Sequence, residues 1–149
     1  MILYLDTSAL VKLYAEEEGT ELVERAVDEA EVVTTSIVAY AEARAALARK
    51  LREAVEALDE DWETLDTYEA TDELVRTAGA LAEEQALRGF DAIHLASVLL
   101  VREVRRQQTG ESTEEAVLFL GFDSHLTEAA GKVIRVYEQT EDPNGQSRS

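Results

Sequence analysis

The sequence predicts an α/β protein, a three-layer α/β/α sandwich with a mainly parallel central sheet. Short apolar or β-branched runs alternate along the chain with longer segments of helical periodicity, a pattern typical of parallel strands joined by helices. The chain has 149 residues, of which 46% are hydrophobic and one is proline. This composition favours one compact, helix-rich domain over disorder.

Five segments are predicted to be strands. ILYL at 2–5, VVTT at 32–35 and VLFL at 117–120 have the apolar or β-branched character of strands buried on both faces. VIRVY at 133–137 is a further strand, and WETLDTYE at 62–69 is a weaker candidate. The residues between these segments are available for helices on the two faces of the sheet.

Helical periodicity fills the intervals between the strands. The predicted helices cover residues 8–17, 20–30, 36–58, 71–87 and 91–106, the third with a break near Leu51. Ser36 and Thr71 are predicted N-caps, and Thr71 begins TDEL, which is close to a capping box. The folded domain is expected at residues 1–137, followed by a polar, flexible tail at 138–149.

Composition excludes several classes of protein. The chain has no cysteine, which excludes disulfide frameworks, cysteine–zinc sites and thiol catalysis. No apolar run approaches the roughly 20 residues of a membrane span, and Asp6 interrupts the apolar start of the chain, so a cytoplasmic protein is expected. The formal net charge is −18, and by itself this charge argues against nucleic acid as a partner.

Four acids differ from the rest because their neighbours predict burial. Asp6 and Asp123 follow predicted strands, Asp91 begins an apolar helix, and Glu42 lies inside a helix among small residues. Ligands of open α/β sheets bind at the carboxyl ends of the strands, so these acids could share one site. The three aspartates could instead be helix N-caps. For Glu42 alone, structural and functional roles stay equally open.

Carboxylates that converge in this way need a cation. Two charges about 4 Å apart repel by about 4 kcal/mol at an effective dielectric constant near 20, so four cannot all stay ionised together without one. Oxygen ligands, with no cysteine and only two histidines, suit Mg²⁺ or Mn²⁺. Ions of this kind activate water and neutralise phosphodiesters.

Four segments of the chain are YLDTSALVKLY, SIVAYAEARAAL, LRGFDAIHLASVL and FLGFDSHL. In this order they resemble PIN-domain ribonucleases, particularly the VapC-like toxins of toxin–antitoxin pairs, over residues 1 to about 137. The resemblance implies the α/β/α fold, metal-dependent cleavage of RNA, a homodimer, and an antitoxin that inserts into the active-site groove. It also implies catalytic metal ligands at Asp6, Glu42, Asp91 and Asp123, with supporting hydroxyls at Thr7 and Ser8.

One position departs from the family pattern. Many relatives have Thr or Ser two residues before the last acid, whereas this chain has Gly121, so a hydroxyl that could orient metal or water is missing. Lys12 and Arg49 are the candidate RNA-binding residues, because Lys12 follows Asp6 on the first helix and Arg49 shares a helix face with Glu42. The acidic body suits a basic antitoxin.

The two histidines are not predicted to be metal ligands. His94 and His125 lack the spacing of a zinc pair. His94 lies one turn from Asp91 and could orient it, but a packed or hydrogen-bonded core histidine is favoured. His125 is expected on a helix surface.

Other functions were weighed against this one. A phosphatase that forms an aspartyl-phosphate needs a second Asp two residues after Asp6, where this chain has Ser8, and the residue pattern of a response-regulator receiver is not found. A stand-alone RNA-processing nuclease remains an alternative. So does a non-catalytic PIN-like module that binds RNA or protein, although binding alone would not need four buried acids.

Overall fold

The structure is a computed structural model that describes residues 1–110 and 116–138. Its strands are β1 (Ile2–Leu5), β2 (Val32–Ser36), β3 (Asp66–Tyr68), β4 (Val117–Leu120) and β5 (Arg135–Val136). They form one parallel sheet in the order β3-β2-β1-β4-β5. The predicted parallel sheet is confirmed, and β1 lies at its centre, so the residues after β1 are flanked by the ends of β2 and β4.

Helices connect these strands. In the described residues they are α1 (Thr7–Lys12), α2 (Thr20–Glu29), α3 (Ala39–Ala48), α4 (Arg52–Trp62), α5 (Asp72–Gln85), α6 (Gly89–Thr109) and α7 (Ser124–Gly131). The predicted break is confirmed, since Leu51 is extended between α3 and α4. The first helix is shorter than predicted, and the third strand covers only the last part of its predicted segment.

One predicted cap is right and the other is wrong. Thr71 is the N-cap of α5, and its side chain accepts a hydrogen bond from the Leu74 N–H at 3.2 Å. Ser36 is not a cap, because it still belongs to β2 and is aligned with Tyr68 of β3. The chain can therefore turn into α3 only after it leaves the sheet, and Val38 is the residue at the N-cap.

Both faces of the central strand are buried, which produces three layers. Ile2 and Tyr4 belong to a core shared with α5, α6 and α7. Leu3 and Leu5 point to the other face and pack with residues of α1 and α2. Strand β1 thus has no solvent-facing side, and Asp6, which follows it, is buried.

The end of the predicted domain is only partly described. Tyr137 is buried, and its N–H donates to the Phe119 carbonyl at 2.8 Å, so the chain stays attached to the sheet just after β5. Apart from Glu138, the predicted flexible tail at 138–149 lies outside the described residues. Within residues 1–110 and 116–138, no helix has both the length and the apolar character needed to cross a membrane.

Candidate active site

Asp6 follows the last residue of β1 and is the N-cap of α1. It is 3% exposed, and its Oδ1 accepts hydrogen bonds from the Ala9 N–H at 2.9 Å and the Ser8 hydroxyl at 2.6 Å. Burial raises the pKa of Asp6, the two hydrogen bonds oppose this rise, and the charge of Asp91 adds to it. The cap alternative is confirmed, and the surroundings still disfavour the charge of this carboxylate.

Ser8 joins the ends of β1 and β4. Its hydroxyl donates to Asp6 and accepts a hydrogen bond from the Phe122 N–H at 2.9 Å. At Gly121, the residue before Phe122, a Cβ atom would overlap the carboxylate of Asp6. Gly121 therefore has a steric reason: the present orientation of Asp6 leaves no room for a side chain.

A chain of hydrogen bonds runs from the core to the Glu42 carboxylate. The Tyr4 hydroxyl lies 2.8 Å from His94 Nδ1, and His94 Nε2 lies 3.0 Å from Thr7 Oγ1. Thr7 in turn donates to Glu42 Oε1 at 2.8 Å. Burial strongly raises the pKa of Tyr4, which keeps its hydroxyl protonated. Because the Thr7 hydroxyl proton is donated to Glu42, the Thr7 oxygen accepts a hydrogen bond from His94 Nε2.

These hydrogen bonds orient the Glu42 carboxylate and affect its pKa. Burial acts to raise the pKa of Glu42, but the His94 imidazole, whose Nε2 lies 3.4 Å from Glu42 Oε1, and the hydrogen bond from Thr7 outweigh it, and the pKa is lowered. His94 is 2% exposed, so the prediction of a hydrogen-bonded core histidine is confirmed. Its polar contacts with Tyr4, Thr7 and Glu42 direct it towards Glu42, and not towards Asp91, which was the less favoured alternative.

Arg88 bridges the two remaining acids and was missed by the sequence reasoning. Its Nε donates to Asp91 Oδ2 at 3.1 Å, and its Nη2 lies 3.6 Å from Asp123 Oδ2. Asp123 is also the N-cap of α7, whereas α6 begins at Gly89, so Asp91 lies in the first turn and is not its cap. The spacing of Arg88 and Asp91, three residues apart at a helix start, was a signal for this contact.

His125 is exposed, as predicted for a helix surface. Its Nε2 lies 2.9 Å from the carbonyl oxygen of Ala86, which has a left-handed backbone conformation at the end of α5. The contact joins α7 to the loop that carries Arg88. It gives His125 a structural partner in the part of the chain that the structure describes.

Two of the four acids, Glu42 and Asp91, line a cleft of about 490 Å³ together with Arg88 and Phe90. The carboxylate oxygens of the four acids are a donor set that fits Mg²⁺ or Mn²⁺. The positively charged Arg88 guanidinium already lies between Asp91 and Asp123. As the side chains stand, no three His, Asp or Glu residues within 1–110 and 116–138 are placed to hold one metal ion. The four carboxylates have the oxygen ligands that a divalent cation prefers, but their side chains would have to rotate to reach one ion.

The two predicted RNA-binding residues have different surroundings. The Lys12 side chain is 12% exposed, and its Nζ lies 2.9 Å from Glu17 and 4.6 Å from the centre of the Phe122 ring. Glu17 also binds Lys50 at 2.6 Å. Arg49 is exposed at the end of α3 and has no ion pair among the described residues. The RNA-binding roles of Lys12 and Arg49 stay predictions, with Arg49 the more available charge.

Comparison with known proteins agrees with this geometry. The PIN domain family model matches residues 3–132. The ribonucleases VapC45 and VapC49 of Mycobacterium tuberculosis are each 37% identical to this chain over 110 residues, which is 67% of this chain and 76% of theirs. Ribonuclease VapC35 of the same organism is 33% identical over 131 residues, 87% of this chain and 90% of the relative.

A solved structure shows the same fold. The crystal structure of Mycobacterium tuberculosis VapC20, a toxin that cleaves the sarcin–ricin loop, matches with a TM-score of 0.62 and 21% identity. The match covers 85% of this chain and 94% of VapC20. The chain therefore belongs to the PIN-domain family and, within it, to the VapC-like ribonucleases.

Proposed function

We propose that this protein is a metal-dependent endoribonuclease that hydrolyses RNA phosphodiesters and is the toxin of a toxin–antitoxin pair. The main support is the arrangement of four acids at the carboxyl end of the sheet, two of them bridged by the Arg88 guanidinium. A positive group between two carboxylates marks a place where a cation is electrostatically favoured. The ribonuclease names of VapC45, VapC49 and VapC35 support the same activity.

The proposed cofactor is Mg²⁺ or Mn²⁺. Its proposed ligands, which are also the catalytic residues, are Asp6, Glu42, Asp91 and Asp123. When bound, a divalent cation lowers the pKa of a water molecule and neutralises charge on the phosphodiester. The protein's own contribution is orientation: Ser8 holds one Asp6 oxygen, and Thr7, backed by His94, holds one oxygen of Glu42.

The test compares two aspartates in matched positions. Asp91 lies in the first turn of α6 and pairs with Arg88, and Asp72 lies in the first turn of α5 and pairs with Arg76. Asp91→Asn is expected to weaken Mn²⁺ binding and lower RNA cleavage by at least about 100-fold, because changing even an outer-shell partner costs about 10- to 100-fold. Asp72→Asn is expected to behave as wild type.

The outcome of this test separates an enzyme from a binding module. Calorimetry measures Mn²⁺ binding, and gel assays measure cleavage of a mixed-sequence RNA. If the wild-type protein binds RNA but does not bind Mn²⁺ and does not cleave the RNA, it is a non-catalytic PIN-like module. Equal losses in both variants would show that the effect of Asp91→Asn is one of surface charge and not of a specific ligand.

The toxin assignment has its own test. Expression of a toxin is expected to arrest growth, and coexpression of the neighbouring reading frame, if it encodes the antitoxin, is expected to restore it. If the protein cleaves RNA in vitro but its expression does not arrest growth, a stand-alone RNA-processing role is favoured. A basic antitoxin suits the net charge of −18.

A homodimer is also proposed, and sedimentation of the purified protein measures its oligomeric state.

A further inference from the structure

We propose that Arg88 is a built-in counter-ion of the metal-free site, which competes with the divalent cation for Asp91 and Asp123 and, once displaced, binds an RNA phosphate. This inference rests on the proposed function and concerns a residue of the same site. Its starting point is the contact of one guanidinium with carboxylates from two separate elements, α6 and the segment after β4.

The contact occupies oxygens that a metal ion would need. Arg88 approaches Oδ2 of both acids, while Oδ1 of Asp123 accepts the N–H of Leu126 as the cap of α7. As the side chains stand, no three acids within the described parts of the chain are placed to hold one ion. Metal binding at Asp91 and Asp123 therefore requires that the guanidinium leave them.

Arg88 is placed to leave easily. Its side chain is 80% exposed in spite of both contacts, and exposed ion pairs are weak. Its main chain does not need to move, because the Arg88 carbonyl accepts the N–H of Ala92 at 2.9 Å and begins α6. The long side chain can thus rotate about a fixed backbone.

The released guanidinium has a suitable new partner in the cleft. Arg88 and Phe90 line this cleft together with Glu42 and Asp91. A guanidinium binds phosphate oxygens with two parallel hydrogen bonds, which an ammonium group cannot do. Lys12, in contrast, is already paired with Glu17. Arg88 therefore supplies the cationic fork for a phosphate at the cleft.

The experiment measures Mn²⁺ affinity by calorimetry, without RNA, in the full chain and three variants. Arg88→Ala is expected to bind Mn²⁺ about threefold to tenfold more tightly than wild type, the range expected for losing two exposed ion pairs. Arg88→Lys keeps the charge but loses the fork, and it is expected to fall between them. Arg76→Ala is the control, because Arg76 is 79% exposed and pairs with Asp72 at 2.9 Å outside the cleft.

RNA affinity gives the second readout. In Ca²⁺, Arg88→Ala is expected to bind RNA about threefold to tenfold more weakly than wild type, and without metal the two are expected to bind equally. An unchanged Mn²⁺ affinity in Arg88→Ala overturns the inference, as does an Arg88→Lys variant that binds RNA in Ca²⁺ as tightly as wild type, because the guanidinium fork would then have no role. Absence of Mn²⁺ binding by wild type would instead overturn the proposed function.

Discussion

Replacing Asp6 by Asn is expected to abolish RNA cleavage while leaving the metal-free protein at least as stable as the wild type. Asp6 is 3% exposed, and burial raises its pKa. Asn keeps an oxygen that can accept the hydrogen bonds now donated by Ala9 and Ser8. The substitution thus removes a disfavoured buried charge and retains the cap of α1.

A second variant measures the cap separately from the charge. Asp6→Ala loses the charge and both hydrogen bonds. Loss of an N-cap costs about 0.5–2 kcal/mol, and one further hydrogen bond contributes about 1 kcal/mol. Asp6→Ala is therefore expected to be less stable than Asp6→Asn by about 1–3 kcal/mol.

The pH dependence has a definite sign. Since the pKa of Asp6 is raised, the folded protein binds more protons than the unfolded chain between the ordinary pKa of about 3.9 and the raised value. The free energy of unfolding therefore falls as pH rises through that range. The stability gain of Asp6→Asn is expected at neutral pH and is expected to vanish as pH falls below about 3.9.

Urea unfolding in the presence of a chelator, followed at several pH values, measures these differences. Addition of Mn²⁺ is expected to stabilise the wild type and to have little effect on Asp6→Asn. An Asn variant that is clearly less stable than wild type at neutral pH without metal would refute the reasoning. It would mean that the charge of Asp6 strengthens the cap by more than its burial costs.

Four further substitutions, one of them with a matched control, test other parts of the protein. Gly121→Ser is expected to cost about 1–3 kcal/mol in urea unfolding, because a side chain there overlaps the buried carboxylate that begins α1. Gly79→Ala is its control and is expected to be neutral or stabilising, since a Cβ there meets nothing within 4 Å. His94→Gln is expected to cost about 1–3 kcal/mol but to retain measurable cleavage, because His94 orients an acid and does not replace one. The last measurement is the slope of the logarithm of RNA affinity against the logarithm of salt concentration. Arg49→Ala is expected to lower this slope by about one counterion, and Lys12→Ala by less, because Lys12 is already paired with Glu17. Slopes equal to that of the wild type in both variants would show that RNA binds elsewhere.

Local patterns were sufficient for the fold because strand and helix periods are local properties. The apolar run before Asp6 predicted a buried strand, and the structure shows that this strand lies at the centre of the sheet, between β2 and β4. Ser36 was assigned incorrectly because a serine before a helical segment is typical of an N-cap. Its pairing with Tyr68 in the sheet is a contact across 32 residues that the local sequence does not show.

The sequence singled out the four acids and the hydroxyls of Thr7 and Ser8, but not the contacts that come from remote parts of the chain. Asp6, Glu42, Asp91 and Asp123 stood out because each lies in an apolar stretch where a charge needs a reason. Several contacts that support the acids join remote positions: Tyr4 and His94 are 90 residues apart, and Ser8 and Phe122 are 114 apart. Gly121 illustrates the limit most clearly, because its local reading was a missing hydroxyl, whereas the structure shows a steric requirement.

The acidic character of the protein and its proposed affinity for RNA can be reconciled through the charges near the cleft. Several cations of the first half of the chain are already paired, Lys12 and Lys50 with Glu17 and Arg44 with Asp59. Since charges are screened over about 8 Å at physiological salt, remote acids matter less than groups beside the site. On the proposed function and the inference about Arg88, a divalent cation held by the acids would add positive charge, and Arg88 would be available to phosphate. RNA affinity is then controlled by metal occupancy more than by the overall charge of −18.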